Sequence, residues 1–417
     1  MNSRSSPFPT VQRWLSVVFL LALLAGCKPA PTPAPGPGPL PARTATPGTF
    51  TFFLPVIGGG GLTPTPEPSP TPELPTTEPP TQPPPPPTPV SAWPDPLIGQ
   101  TASKLSLHVI RNEDPYIMEF VRRVHPRVIK GLDDDAWLSE VKQVSPDTVT
   151  IGRFSGEAAD MQEHLLDTTD PAVVARAYVD KFLERYRLNP GVDYWEGWNE
   201  FNAATDARWN WFAQFEAERA CYMQAHGLRA AVGGFPMGTP EYQHMALFLP
   251  ALEAARRCGG IFTLHEGIVP VIGCGLGVNQ ANVIPGAPAL SVSAGPIMMR
   301  YRFWYEGYLK PRGLGDLPLV ISELAIGGID ANSPCNGPGG DSWKTYRQWW
   351  VQQGVGPTGE AAYVKMLAWY DEEMRRDPYM IGATIFTAGA VSEYLGWVDF
   401  DLHDVLIPLA HYAVSQQ

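Results

Sequence analysis

The sequence predicts an α/β body, a closed (β/α)8 TIM barrel, held behind a long proline-rich tether. Three observations lead there. From Leu105 onward, short β-branched runs alternate eight times with longer stretches of three-to-four apolar spacing, the pattern of repeated βα units around a parallel sheet. The body, residues 97–417, is long for an ordinary domain but normal for one barrel, which needs ~250 residues and tolerates insertions. No glycine-rich nucleotide fingerprint sits at a strand-to-helix step: Gly273-Cys274-Gly275-Leu276-Gly277 lacks that context, which favours closure over an open doubly wound sheet.

Taken in order, the chain begins with Arg4 and Arg13 and an apolar run from Trp14 to Ala25, the layout of a secretory signal. The run is shorter than the roughly 20 apolar residues that span a bilayer. Its end, Leu24-Ala25-Gly26-Cys27, resembles the lipobox of bacterial lipoproteins, so residues 1–27 are expected to be a lipoprotein signal. The resemblance implies acylation of Cys27 and a membrane partner reached through that anchor, with the protein on the outer face of the bacterial membrane. Residues 28–96 are mostly Pro, Thr, Gly, Ala and Glu, with repeated Thr-Pro steps and the run Pro83 to Pro87. Such a segment buries too little apolar surface to offset its ordering entropy, and is expected to be a disordered, partly polyproline II linker. At about 3.1 Å per residue it reaches ~100 to 200 Å.

The body's strands are predicted at Leu105 to Ile110, Arg127 to Gly131, Thr148 to Gly152, Val192 to Trp198, Arg229 to Gly234, Ile261 to His265, Leu317 to Glu323 and Ile381 to Thr387. Helices are expected at Pro171 to Leu188, Ala207 to His226, Tyr242 to Cys258, Val292 to Lys310 and Glu360 to Arg376, with Asp404 to Val414 as a short closing helix. Two glycine-rich loops, Gly267 to Ser291 and Ala325 to Gly359, follow the sixth and seventh strands and rise from the face where barrels build active sites.

Composition narrows the partners. With 42 acidic against 30 basic residues, a net charge of −12 and the Lys and Arg scattered, nucleic acid is excluded as an expected partner, and a monomer is expected. Besides Cys27 there are four cysteines, an even count that outside the cytoplasm is compatible with two disulfides, with four buried thiols as the alternative. Cys221 and Cys258 close successive helices and Cys274 and Cys335 lie in the two long loops, so the expected disulfides are Cys221 with Cys258 and Cys274 with Cys335.

The fourth strand ends in Trp195-Glu196-Gly197-Trp198-Asn199-Glu200 and the seventh in Val320-Ile321-Ser322-Glu323. Order, strand ends and local motif resemble the retaining glycoside hydrolases of clan A, without singling out a family within it. The resemblance implies Glu200 as acid/base, Asn199 as a partner of the sugar 2-hydroxyl and Glu323 as nucleophile. Independently of it, cleaving an acetal requires an acid for the leaving oxygen and a carboxylate to meet charge at the anomeric carbon, and strands four and seven face one another across the mouth. Trp198 and Phe201 beside Glu200 are expected to raise its pKa by desolvation. A second Asn-Glu, Asn112-Glu113, sits ahead of Asp114-Pro115 and reads as the opening of a helix.

Further candidates surround this pair. His265 closes strand six, where some families of the clan line the cleaved sugar's subsite with histidine; Gly267 stands where those families have a tyrosine, which leaves the nucleophile's orienting partner unassigned. Glu266 is a competing carboxylate. No His/Glu pair repeats at a zinc-binding spacing, so neither a metal nor a cofactor is expected. Arg153 and Lys130 point to the same face, either to orient a carboxylate or to grip a sugar hydroxyl. Sugar rings stack on indole, making Trp198, Trp209, Trp304, Trp343 and above all Trp397 candidate subsite walls, while Trp211, Trp349 and Trp369 read as core. The expected function is a cell-surface hydrolase of a poly- or oligosaccharide acting by a retaining two-glutamate mechanism. The alternative is a carbohydrate- or cell-wall-binding barrel without turnover, which needs the aromatics but no carboxylate opposed to Glu200. A solute-binding lipoprotein would need two similar lobes, and one run of eight units argues against it.

Overall fold

The computed structural model describes residues 92–156, 162–268, 272, 277–278, 284–326, 337–338, 340, 342–390 and 396–417. Cys27, Cys274 and Cys335 lie outside them. Eight parallel strands close into one ring, β1 (Leu105–Val109), β2 (Val128–Leu132), β3 (Val149–Arg153), β4 (Tyr194–Glu196), β5 (Ala230–Phe235), β6 (Ile261–Ile268), β7 (Leu319–Ile326) and β8 (Met380–Ala388), each bonded to its sequence neighbours and β8 back to β1. This is the predicted TIM barrel. Strand four is shorter than expected, because the chain leaves the sheet at Gly197.

Alternation along the strands separates two apolar layers. Leu105 and Leu107, Phe262 and Leu264, and Leu319 and Ile321 face the helices, whereas Val128, Ile151, Ala231, Ile261 and Val320 fill the lower interior of the ring. The upper interior is polar, and the site lies there.

The helices are set by their caps. α1 (Pro115–Val124) and α3 (Pro171–Arg187) each start with proline after an aspartate, Asp114 and Asp170, whose side chain accepts from the first-turn N–H groups. α2 (Leu138–Val144) follows β2, and α4 (Asp206–Ala225) is capped by Thr205. α5 (Tyr242–Arg257) is joined to α4 by the expected disulfide Cys221–Cys258. The predicted helix from Val292 to Lys310 forms only in its second half: α6 (Tyr301–Trp304) runs into a π-helical stretch, Tyr305–Leu309, and a 3₁₀ turn, Lys310–Arg312. Gly295 and Pro296 hold the first half out of helix, as Gly295 bonds Met298 and Ile297 accepts from the Gly267 N–H, extending the edge of β6. The predicted long loop after β7 contains a helix of its own, α7 (Trp343–Gln352), whose Trp343, Tyr346 and Trp350 are buried. α8 (Gly359–Arg375) and the closing helix α9 (Leu406–Ser415) stand where expected. Among the described residues no helix is long and apolar enough to cross a membrane.

The chain reaches the barrel alongside α1. Trp93 packs edge-on against Tyr116, Pro94 accepts from Arg123, and the Leu97 N–H bonds the Arg123 carbonyl. The C-terminus meets it at the bottom of the ring, where Thr101 and Ala102 bond Ala413 and Gln416.

Candidate active site

Inward residues from six strands converge at the C-terminal mouth: His108 of β1, Lys130 of β2, Arg153 of β3, Glu196 of β4, His265 of β6 and Glu323 of β7. Glu323 reaches this group through an irregularity. Strict alternation would send it outward with Leu319 and Ile321, but the β6–β7 register passes from Leu264↔Ile321 to His265↔Glu323, so Ser322 is an extra residue and Glu323 turns inward.

Two cations and two carboxylates form its floor. Lys130 Nζ lies 2.9 Å from Glu323 Oε1 and 2.8 Å from Glu196 Oε2. Arg153 stands 3.6 Å from Glu323 and 3.9 Å from Glu196. Burial by itself opposes ionisation of both carboxylates. For Glu196 it is outweighed by Lys130, His265 and Arg153, which hold it down to about 2. For Glu323 it is outweighed by His265, Lys130 and Arg153, which hold it well below the usual carboxylate range. His108 is pushed well below the ordinary histidine value, first by burial and then by Lys130, so it is a neutral neighbour of Glu323 at neutral pH. Thr387 of β8 bonds its Nδ1 at 3.2 Å.

Glu200 completes the mouth from above. It sits past the end of β4, at a φ of 52°, in a left-handed conformation that is strained for a side-chain-bearing residue. Its N–H bonds the carbonyl of Gly234, itself at φ 57°, which fastens the turn to β5. The Glu200 carboxylate meets His265 Nδ1 at 3.0 Å, while His265 Nε2 faces Glu323 at 3.7 Å. One oxygen each of Glu200 and Glu323 and a ring nitrogen of His265 lie within 4.8 Å of one another. Lys130 and Arg153 already supply positive charge against Glu323, so we assign no metal to these groups.

Of the predicted site residues, Glu200, Glu323, His265, Arg153 and Lys130 are brought together. Lys130 is fully buried under the carboxylates, so of its two expected roles it orients a carboxylate and has no surface with which to grip a sugar. Asn199 lies in the Glu200 turn, and its Oδ1 is buried with no partner among the described residues. Trp397 reaches the rim, half-buried, edge-on to Phe386, whose ring stacks on His108 at 5.1 Å. Trp198 is not at the mouth. It stacks on Phe215 at 4.4 Å and on Trp211, and Phe201 stacks on Phe212, all on the outer side of the sheet. The expected desolvation of Glu200 by these two rings therefore does not occur, and its side chain is 41% exposed. Trp209, Trp304 and Trp343 are fully buried packing residues as well. Glu266 faces outward, bonded by the Tyr301 N–H at 2.7 Å and by the Tyr370 hydroxyl, and Glu113 stands exposed beside the α1 cap.

No family model matches the chain, and neither does any curated protein. Solved structures are similar to the chain at low identity. A hyperthermostable endo-1,4-beta-D-mannanase from Thermotoga petrophila RKU-1 is 13% identical over 75% of this chain and 99% of its own, with a TM-score of 0.42. A glycoside hydrolase family 18 N-acetylglucosaminidase from Paenibacillus barengoltzii is 10% identical over 76% and 100%, with a TM-score of 0.44. A GH5-4 broad specificity endoglucanase from an uncultured bacterium is 13% identical over 76% and 86%, at 0.39.

Proposed function

We propose that the protein is a retaining glycoside hydrolase in which Glu323 is the nucleophile and Glu200 the acid/base. The observation that carries this reading is the pair itself, two carboxylates with oxygens within 4.8 Å across a barrel mouth, in unlike surroundings. Nearest oxygens this close favour direct attack by one carboxylate, the arrangement of a retaining enzyme. Glu323, in contact with Lys130 and shielded, is kept ionised, as a nucleophile must be; Glu200, exposed and bonded to His265, can exchange protons with solvent.

In the first step a Glu323 oxygen bonds the anomeric carbon, the glycosidic C–O bond breaks, and the leaving oxygen takes the Glu200 proton. Glu200 then removes a proton from water, whose oxygen displaces Glu323 from the anomeric carbon. Asn199, whose buried Oδ1 has no partner among the described residues, is placed to accept from a sugar hydroxyl, and Trp397 with Phe386 offers an apolar wall at the rim. The opposed pair is what a binder without turnover would not need, so hydrolysis is the reading we adopt. The disulfide Cys221–Cys258 supports an oxidising compartment, in keeping with a barrel exported and anchored through Cys27 on the outer face of a bacterial membrane.

The test is stereochemical. Incubated with plant, fungal and bacterial polysaccharides, the full chain releases reducing ends from at least one, and NMR early in the reaction shows the product with retained configuration. Glu323→Ala abolishes turnover. Glu200→Ala loses roughly 10² to 10⁴-fold on substrates with poor leaving groups, keeps activity on good ones, and is partly rescued by azide. An inverted product, or a fully active Glu323→Ala, sinks the assignment.

A further inference from the structure

We propose that Glu196 is a positioning residue, the standing counter-ion that keeps Lys130 charged and in place while Glu323 has given up its own charge. The inference rests on the double-displacement reading above. It starts from a redundancy. Glu323 alone would satisfy one cation, yet the barrel buries a second carboxylate against the same ammonium, at 2.8 Å and 4% exposed. Its Oε2 meets Lys130 at 2.8 Å and Arg153 at 3.9 Å, and its buried Oε1 has no hydrogen-bond partner among the described residues, so its ties to the site run through these two cations.

The reaction supplies a reason. Before attack, Lys130 and Arg153 face Glu196 and Glu323, two charges of each sign. When a Glu323 oxygen bonds the anomeric carbon and the leaving group departs with the proton of Glu200, Glu323 becomes an uncharged ester. Without Glu196 both cations would then be buried with no carboxylate partner on the floor, and an unpaired buried ammonium either destabilises its surroundings or sheds its proton. With Glu196, Lys130 keeps a partner at contact distance through the intermediate and remains in place to receive Glu323 when water releases it. The other groups facing Lys130 cannot substitute. His108 of β1 is neutral, Arg153 of β3 is a cation, His265 of β6 is no anion, and Asp135, in the turn after β2, is pushed up to about 8, chiefly by burial, and carries a proton at neutral pH.

Glu323→Gln mimics the spent charge without any substrate, so the full chain can be tested by its melting temperature from pH 6 to 10 in four forms: Glu323→Gln, Glu196→Gln, the double variant, and the double variant with Lys130→Met. Glu323→Gln and Glu196→Gln each melt within a few degrees of the unsubstituted chain. The double variant loses roughly 5 to 10 °C more than the two single losses added. Its deficit shrinks as pH rises, because a lysine whose folded pKa is depressed regains stability between that value and its unfolded one. Lys130→Met in the double background restores most of the loss. Additive, pH-independent losses, or no recovery with Lys130→Met, overturn the proposal. Turnover does not enter these curves: a chain that released no reducing ends from any polysaccharide would sink the hydrolase reading, and the coupling of positions 196 and 323 would still be decided by melting.

Discussion

Single buried carboxylates in this barrel are pulled in opposite directions by what surrounds them. Glu196 lies among cations and is held down, whereas Glu266, on the same sheet but facing α6 and α8, is pushed up to about 7 by burial, against the bonds from Tyr370 and Tyr301. An acid whose folded pKa is raised contributes fully while protonated, and its contribution is lost as pH climbs from the unfolded value to the folded one. For Glu266 that window runs from 4.5 to about 7. Glu266→Gln should therefore melt close to the unsubstituted chain near pH 4.5 and gain on it steadily up to pH 7, holding the gain above; a pH-independent difference would show that this carboxyl does not titrate in the window. Glu196 and His108 also show what a reader of sequence can miss. Leu105-Ser106-Leu107-His108 alternates plainly, and Ser106 and His108 are the inward pair; Glu196 shares its parity with Tyr194. Asn199-Glu200, three residues on, carries the more conspicuous local motif. Trp198 misled for the converse reason, since an indole beside an acid looks like a subsite wall until its side of the strand is known.

At the scale of elements, the eight strands and most helices were legible because period-two and period-3.6 patterns and Asp-Pro caps are local. The inward turn of Glu323 was not, because it depends on one extra residue in the β6–β7 ladder, and no local pattern announces a bulge in an apolar run. The half-helix before Tyr301 was overread for a related reason: tertiary pairing of Gly267 with Ile297 overrides an apolar periodicity. Behind the site, a buried pair on α4 holds strand four. Arg219 bonds Glu216 and the carbonyls of Trp195 and Ala231, and a Cβ on Gly197 would come within 2.8 Å of both Arg219 Nε and Glu216 Oε1. Gly197→Ala should cost about 1 to 3 kcal/mol, read as a melting temperature lower by several degrees. An unchanged melting point would mean that the pair gives way freely. The Cys221–Cys258 bridge acts on the same layer, across 37 residues of chain. Reduction, or Cys221→Ser with Cys258→Ser, should remove about 2 to 4 kcal/mol, measurable as an earlier thermal transition in reductant than without it.

For the molecule as a whole, the sequence placed the linker boundary at residue 96, whereas packing against the barrel begins with Trp93 and Pro94. Limited proteolysis of the full chain should accordingly yield a resistant fragment starting at or before Trp93, identified by N-terminal sequencing. Cuts scattered through the body would count against one compact unit. The way the chain joins the ring also has a mechanical meaning. A pull arriving from residue 92 does not act on β1 first: it must slide Trp93 off Tyr116 and draw Pro94 and Leu97 past Arg123. Only then does load reach a strand, and that strand is flanked by β2 and β8 in a ring without an edge, where it cannot be peeled off one hydrogen bond at a time. A body held from its N-terminal side and pulled away would thus be stressed first in shear along α1, before any strand of the ring carries load.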